Sequence, residues 1–317
     1  MEKEKEGIWL KSRSSRACIA DGFRLYLGQF KRIFRYTWVV ALVFAVVNGL
    51  FGTYYVTEYP RLMVAVQTGS AGVSQVTSLL AVMGVGLLLV LAVYVLYWSY
   101  VFSMLNTHKA TAEMPWAVKV LHFDRKAAWR MLKAMLWALL VAAIVGGIGA
   151  AVTILGKKML SPMAAMGLLV VVLLIVAVLL LPLYYVFYKY LLTPGLKFTS
   201  VLTAGYSVGM RHLGSLLAVV VVTMLVVATA ALLLSLPMQI LYMANIQAQT
   251  GVLMGDPLGM PDYMPKLTAA VFTLAGFLQA YVLMAEAFPL YYAYGSIEAN
   301  EDERQQAMGK MKKGATA

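Results

Sequence analysis

From Thr37 to Leu50 the chain carries one strongly polar side chain, Asn48, and its apolar character continues to about Tyr55. About 20 residues at 1.5 Å rise cover a hydrocarbon core of roughly 30 Å. Backbone groups in lipid must be paired within their own segment, so the run is expected to be a helix that crosses a bilayer. Five further runs follow, at about Val76 to Met104, Leu132 to Leu155, Met163 to Tyr190, Gly214 to Pro237 and Leu267 to Tyr294. The second is long enough to tilt or to project beyond the bilayer. The expected fold class is therefore all-α: a polytopic integral membrane protein with six transmembrane helices.

Charge separates the connections into two sets. Residues 1–35, 105–133, 189–212 and 298–317 hold 22 of the 26 lysines and arginines. The other set, about 56–75, 156–162 and 238–266, holds only Arg61, Lys157, Lys158 and Lys266. Positive residues stay on the cytoplasmic side, which places the first set and both termini in the cytoplasm. Only 13% of the chain is charged and 62% is hydrophobic, whereas a soluble domain carries about 25% charge. The net charge of +12 borders apolar spans rather than forming a basic domain. The expected anionic partner is a lipid headgroup at the cytoplasmic face, not nucleic acid. A protein partner or a second copy of the chain is the other candidate for that face. The charged residues before the first span and the length of its apolar run argue against a cleaved signal peptide.

The first span is preceded by apolar residues at Phe23, Tyr26, Leu27, Phe30, Ile33 and Phe34, with Arg24, Lys31, Arg32 and Arg35 opposite. That spacing predicts an amphipathic helix in the membrane interface, aromatic side towards lipid, with Asp21 as its N-cap. Arg125, Lys126, Trp129, Arg130 and Lys133 play the same part before the third span, and Ala204-Gly205-Tyr206 lines up with Asp21-Gly22-Phe23. The second, fourth and sixth spans also end alike, in Leu96-Tyr97-Trp98-Ser99-Tyr100, Leu183-Tyr184-Tyr185 and Leu290-Tyr291-Tyr292. Pro182 and Pro289 precede the last two endings, each at a position that bends a helix. These matches predict three parallel helical-hairpin repeats, at about 21–104, 123–192 and 198–297, each opened by an interfacial segment. Residues 1–20 form a cytoplasmic N-terminal segment and 298–317 a cytoplasmic tail, helical to about Met308. The membrane domain is 21–297. The tyrosines read either as an interfacial belt or as groups that converge on a mouth and hydrogen-bond a ligand.

Few residues carry chemistry. Glu286 is the only acidic residue inside an expected span. Intramembrane carboxylates are costly and face a bundle interior or a cavity. Gln279 lies seven residues earlier on the same helical face, and Lys189 at the equivalent end of the fourth span is a candidate partner. Those three form the candidate intramembrane polar site. Asn48 and Gln279 alternatively bridge helices by hydrogen bonds, and the clusters Gly84/Gly86 and Gly146/Gly147/Gly149 allow close helix packing. Arg24, Lys31, Arg32, Arg35, Arg125, Lys126, Arg130 and Lys133 are the candidate headgroup or partner contacts. The single cysteine, Cys18, excludes an internal disulfide and a cysteine metal site, and its basic surroundings suit a palmitoylation site. No phosphate loop, HExxH or CxxC motif occurs, no motif implies a cofactor or metal, and His108, His122 and His212 are too few for a membrane di-iron enzyme. The chain is not expected to be an enzyme.

The repeated start Phe23-Arg24-Leu25-Tyr26, with Phe30-Lys31 leading into the span, and the Pro-Leu-Tyr-Tyr endings resemble the membrane domain attached to some bacterial glycerophosphoryl diester phosphodiesterases, and related six-helix bacterial membrane proteins. The resemblance covers about Asp21 to Tyr294. It implies a helical bundle in a bacterial cytoplasmic (inner) membrane. It carries over no catalytic residue, because the phosphodiesterase chemistry of those proteins sits in a separate soluble domain. The leading expectation is a non-catalytic membrane protein that organises lipid or partner proteins. The alternative is a transporter or small channel built on Glu286, with a cavity between the second, fourth and sixth spans. A third, a lipid-modifying enzyme, has no motif behind it.

Overall fold

The computed structural model describes residues 9–67, 69, 72–115, 124–159, 161–253 and 261–314. Residues 1–8, His122 and Phe123, the middle of the 238–266 loop with Gly255, Pro257 and Gly259, and the end of the tail lie outside the described residues. The described residues form helices joined by short turns, with no strand among them: α1 (Ser15–Gly28), α2 (Phe30–Gln67), α3 (Val73–Thr111), α4 (Arg125–Met159), α5 (Pro162–Leu180), α6 (Pro182–Leu192), α7 (Phe198–Arg211), α8 (Leu213–Leu253) and α9 (Met264–Gly314). Six stretches are long and apolar enough to span a bilayer: Phe30–Met63, Val73–Thr111, Arg125–Gly156, Met163–Leu192, Leu213–Ala248 and Met264–Met308. The protein is an all-α polytopic membrane protein.

Local chemistry sets the helix ends. The Asp124 carboxylate accepts the backbone N–H groups of Lys126 (2.9 Å) and Ala127 (3.3 Å) and so caps α4. Ser161 caps α5 in the same way, with Pro162 at the first helical position. α3 ends at Ala112, which takes a left-handed conformation and returns its N–H to the His108 carbonyl at 2.8 Å. Pro182 has no N–H to give, and the fourth span breaks there into α5 and α6. Tyr206 of α7 donates its hydroxyl to the Leu179 carbonyl at 2.9 Å, satisfying an acceptor beside the break. Pro60, Pro237 and Pro289, by contrast, sit within continuous helices.

The helices pack unevenly. α2, α8 and α9 form the tight hub of the bundle. On α2 the small residues Ala41, Ala45, Gly49 and Gly52 fall one turn apart, and they let α9 approach at Thr273, Phe272 and Gly276. A side chain added at Gly49 would meet the Thr273 backbone at 2.9 Å. The glycines singled out in the sequence behave differently: Gly84, Gly146 and Gly147 have nothing within 4 Å, and only Gly86 sits against a ring, that of Phe51. Spacing on one face, not glycine number, decides which small residues admit a neighbour. The main core lies in the half of the bundle that carries the basic connections, called the basic end below. In the other half of α3, Leu87, Leu88 and Leu89 are all exposed, and only the face at Met83, Gly86 and Val90 is half-buried, with Gly86 against Phe51 of α2.

The segment before the first span is helical, with two corrections. Its N-cap is Ser14, whose hydroxyl accepts the Ala17 N–H at 3.3 Å, and not Asp21. Asp21 instead pairs with Arg13 at 3.2 Å. The helix also ends at Gly28, one residue before a bend at Gln29, and its inner face rests on α9 rather than lipid. Tyr26 is buried, packs on Phe288 at 5.0 Å between ring centroids, and donates its hydroxyl to the Tyr281 carbonyl at 2.8 Å. An apolar face of given period suits protein and hydrocarbon equally, so the periodicity could not choose between them. Leu27 and Phe34 do stay exposed.

Cys18 lies on the buried face of α1 and is 0% exposed. Burial pushes its thiol above the ordinary range, and Arg13 and Ser296 offset that only in part. The thiolate is the reactive form, and an acyl chain would have to displace α1. Native protein in mild detergent at neutral pH should leave Cys18 unlabelled by maleimide, whereas denatured protein should label fully. Rapid labelling of the native protein would mean that α1 is not docked.

Candidate functional site

The tyrosine-rich span ends converge at the basic end, but they bond to the protein itself. Tyr97 of α3 donates to the Ala280 carbonyl, and Tyr188 of α6 donates to the Ala287 carbonyl at 3.0 Å, both on α9. Tyr97, Tyr185 and Tyr291 are 2% exposed or less. An interfacial belt would leave its hydroxyls wet. These are core groups: Tyr97 donates to a carbonyl, Tyr185 to the Glu298 carboxylate, and Tyr291 shares a hydrogen bond with His108 Nδ1 at 3.2 Å.

The C-terminus of α6 is closed by side chains from its neighbours. Asn106 donates to the Leu191 carbonyl (3.3 Å), Lys109 to Leu192 (3.1 Å) and Arg130 to Thr193 (2.7 Å). Cations suit the carbonyl end of a helix. Arg130 also stacks over the Tyr190 ring at 4.6 Å, so this predicted headgroup contact is committed within the protein. The N-terminal segment covers the same end. Trp9 stacks on Tyr291 and Tyr294, at 6.1 and 5.9 Å between centroids, with the Lys109 ammonium 4.7 Å from its ring. Arg13 and Ser296 exchange two hydrogen bonds, of 2.9 and 3.0 Å, through the Ser296 hydroxyl and the Arg13 backbone.

The three residues of the expected polar site are not brought together. Lys189 pairs with Glu298 at 2.9 Å and donates to the Tyr185 hydroxyl at 3.0 Å. Gln279 reaches the Ala231 carbonyl on α8 at 3.5 Å, which is the helix-bridging role. Asn48 bonds to the Phe44 carbonyl of its own helix at 2.7 Å, and among the described residues it makes no hydrogen bond to another helix. Glu286 alone lines a cavity of about 230 Å³, walled by α3, α4, α6 and α9. Its neighbours there include Trp98, Phe102, Met131, Tyr184 and Tyr188. The described ion pairs engage Asp21, Glu58, Glu298 and Glu301, none of them Glu286.

The other side of the α3–α4 contact opens as a groove of about 750 Å³. Its walls are Ala92, Val95 and Leu96 of α3 with Ala128, Trp129 and Leu132 of α4, and Arg125 and Lys126 stand on it. Both cations are exposed, as is Lys133, whose ammonium lies 5.3 Å from the Trp129 ring. Arg24, Lys31 and Arg35 are exposed too, while Arg32 is half-buried and engaged. The basic residues thus divide: Arg24, Lys31, Arg35, Arg125, Lys126 and Lys133 face outwards, and Arg32 and Arg130 do not. The tail adds an inward network, with Glu301 of α9 bonded to Arg211 and His212 at 3.2 Å each.

No family model, curated protein or solved structure matches this chain. The likeness to phosphodiesterase membrane domains therefore rests on the sequence pattern alone.

Proposed function

We propose that this is a non-catalytic integral membrane protein that binds and organises anionic lipid at the cytoplasmic face of a bacterial inner membrane. The observation that carries the reading is the α3–α4 groove, whose apolar walls suit an acyl chain and whose Arg125 and Lys126 suit a phosphate. Arg24, Lys31 and Arg35, before the first span, are exposed as well. A cation near an anionic surface contributes about 1 kcal/mol. Replacing Arg125 and Lys126 by glutamine should then cost about 2 kcal/mol, a roughly 30-fold weaker hold. Native mass spectrometry in mixed phosphatidylglycerol and phosphatidylcholine micelles should show selective loss of phosphatidylglycerol adducts, with Arg61→Gln as the control. Unchanged adducts in the double variant would remove the reading.

Transport of a cation is the second reading. The cavity that holds Glu286 between the second, third, fourth and sixth spans favours it. The expected cavity lay between the second, fourth and sixth; the third span completes its wall.

A further inference from the structure

We infer that the Glu286 cavity is a binding site for an organic ammonium ion, recognised by the carboxylate and by aromatic ring faces. This goes beyond the lipid reading, which concerns the opposite side of the α3–α4 contact. It holds whether or not the ligand crosses the membrane.

The wall composition selects the ligand class. Trp98 and Phe102 of α3, Tyr184, Phe187 and Tyr188 of α6, and the Met131 and Met135 thioethers of α4 surround a single carboxylate. Rings present negative faces, and clusters of them bind alkylated ammonium groups. The rings are braced against each other: Phe102 meets Tyr188 edge-on at 5.1 Å, and Trp98 lies 6.3 Å from Phe102. The Tyr188 hydroxyl is spent on the Ala287 carbonyl, so what Tyr188 has left to offer a ligand is its ring. Among the described residues no lysine, arginine or histidine lines the space, and an anion would meet Glu286 with none of them to offset it. A hard metal ion is a poor match, because calcium takes six to eight oxygen ligands and magnesium six, and the lining has one carboxylate. A neutral apolar molecule would fill the space and leave a charge in a low-dielectric wall without a counter-ion, which is costly.

Two sources supply this chemistry, a small lipophilic ammonium ion and the ammonium head of an ethanolamine phospholipid. The test uses benzyltrimethylammonium and its uncharged isostere neopentylbenzene, with the full-length protein in mild detergent, read by dose-dependent thermal stabilisation. A ligand that binds only the folded state raises the melting temperature with its concentration. Benzyltrimethylammonium should stabilise the wild type, and Glu286→Gln should weaken that response about tenfold or more. Neopentylbenzene should stabilise Glu286→Gln at least as well as the wild type, because the variant has no charge left to desolvate. Trp98→Leu, which keeps an apolar side chain but removes the ring face and some bulk, should weaken the cation response more than the neopentylbenzene response, without touching the carboxylate. In the second arm, native mass spectrometry after extraction from bilayers of phosphatidylethanolamine and phosphatidylglycerol compares retained lipid. Glu286-dependent retention of phosphatidylethanolamine, with no response to the soluble cation, would assign the lipid as the source. If neither the cation nor the ethanolamine lipid depends on Glu286, or if magnesium chloride alone gives the Glu286-dependent response, the inference is overturned.

Discussion

Gly22→Ala should lower the melting temperature sharply and expose Cys18 to maleimide. A Cβ at Gly22 would lie closer than 3.0 Å to the nitrogen and Cα of Pro289 and to the Phe288 carbonyl carbon. All three are backbone atoms, so no side chain can swing aside to make room. α1 would have to lift from α9, loosening the Tyr26–Tyr281 hydrogen bond and the Arg13–Ser296 pair. Overpacking a tight contact costs about 1–3 kcal/mol where side chains can adjust, and a backbone clash belongs at the upper end, about 3 kcal/mol. Cys18 is one turn before Gly22 on the same face, so its labelling reports detachment of α1 directly. Gly28→Ala is the matched control, because nothing lies within 4 Å of that position. Wild-type melting with Cys18 still protected in Gly22→Ala would show that α1 and α9 are not in this contact.

The same lifting of α1 should not disturb the α7 contact, where Gly209 sits against Pro182 in a similar way. Each of these short helices rests on a span near its proline, with a glycine at the closest point. In the sequence, Gly22 and Gly205 were visible as parts of a repeated start, and Pro182 and Pro289 as parts of a repeated end. What could not be read was that the starts pack on the ends. That is a relation between distant segments, and hydropathy reports only whether a face is apolar.

The spans were legible for a simple reason. A bilayer demands about 20 apolar residues per crossing and tolerates few charges, and the chain meets that demand six times. The candidate site was less legible. Glu286 stood out because it is an acid among apolar neighbours, and the structure gives it a cavity. Its proposed partner did not follow, since a residue 12 positions further along the helix, Glu298, takes Lys189. At about 100° per residue, 12 positions rotate the side chain by about 120°, so Glu286 and Glu298 face different neighbours. The Tyr184 and Tyr188 lining was hidden inside a motif that reads equally well as an interfacial belt. The α3–α4 groove could not be read either, because it depends on how far two apolar helices diverge.

The Lys189–Glu298 pair supplies the second large effect. It ties α6 to α9, with both side chains less than one-third exposed, 31% and 19%. Tyr185 donates its hydroxyl to the same carboxylate oxygen and accepts from the Lys189 ammonium, so three groups share one network. Removing one partner of a fully buried pair costs about 3–5 kcal/mol, because the other charge is left without compensation. With partial exposure, Lys189→Met should cost about 2 kcal/mol. Glu298→Gln should cost less, since the amide oxygen still accepts from Lys189 and Tyr185. Replacing both charges together, by Lys189→Met with Glu298→Met, should recover part of the loss, since hydrophobic residues of similar volume can replace a buried pair at little cost. The Glu58–Arg61 pair is the contrast: its side chains are 36% and 55% exposed, and it joins residues of a single helix turn. Breaking it should change stability by a few tenths of a kcal/mol. A double-mutant cycle in detergent, read by chemical or thermal unfolding, separates these cases. Equal and small effects at both pairs would mean that Lys189 and Glu298 are solvated, and that α6 is held to α9 by its tyrosines alone.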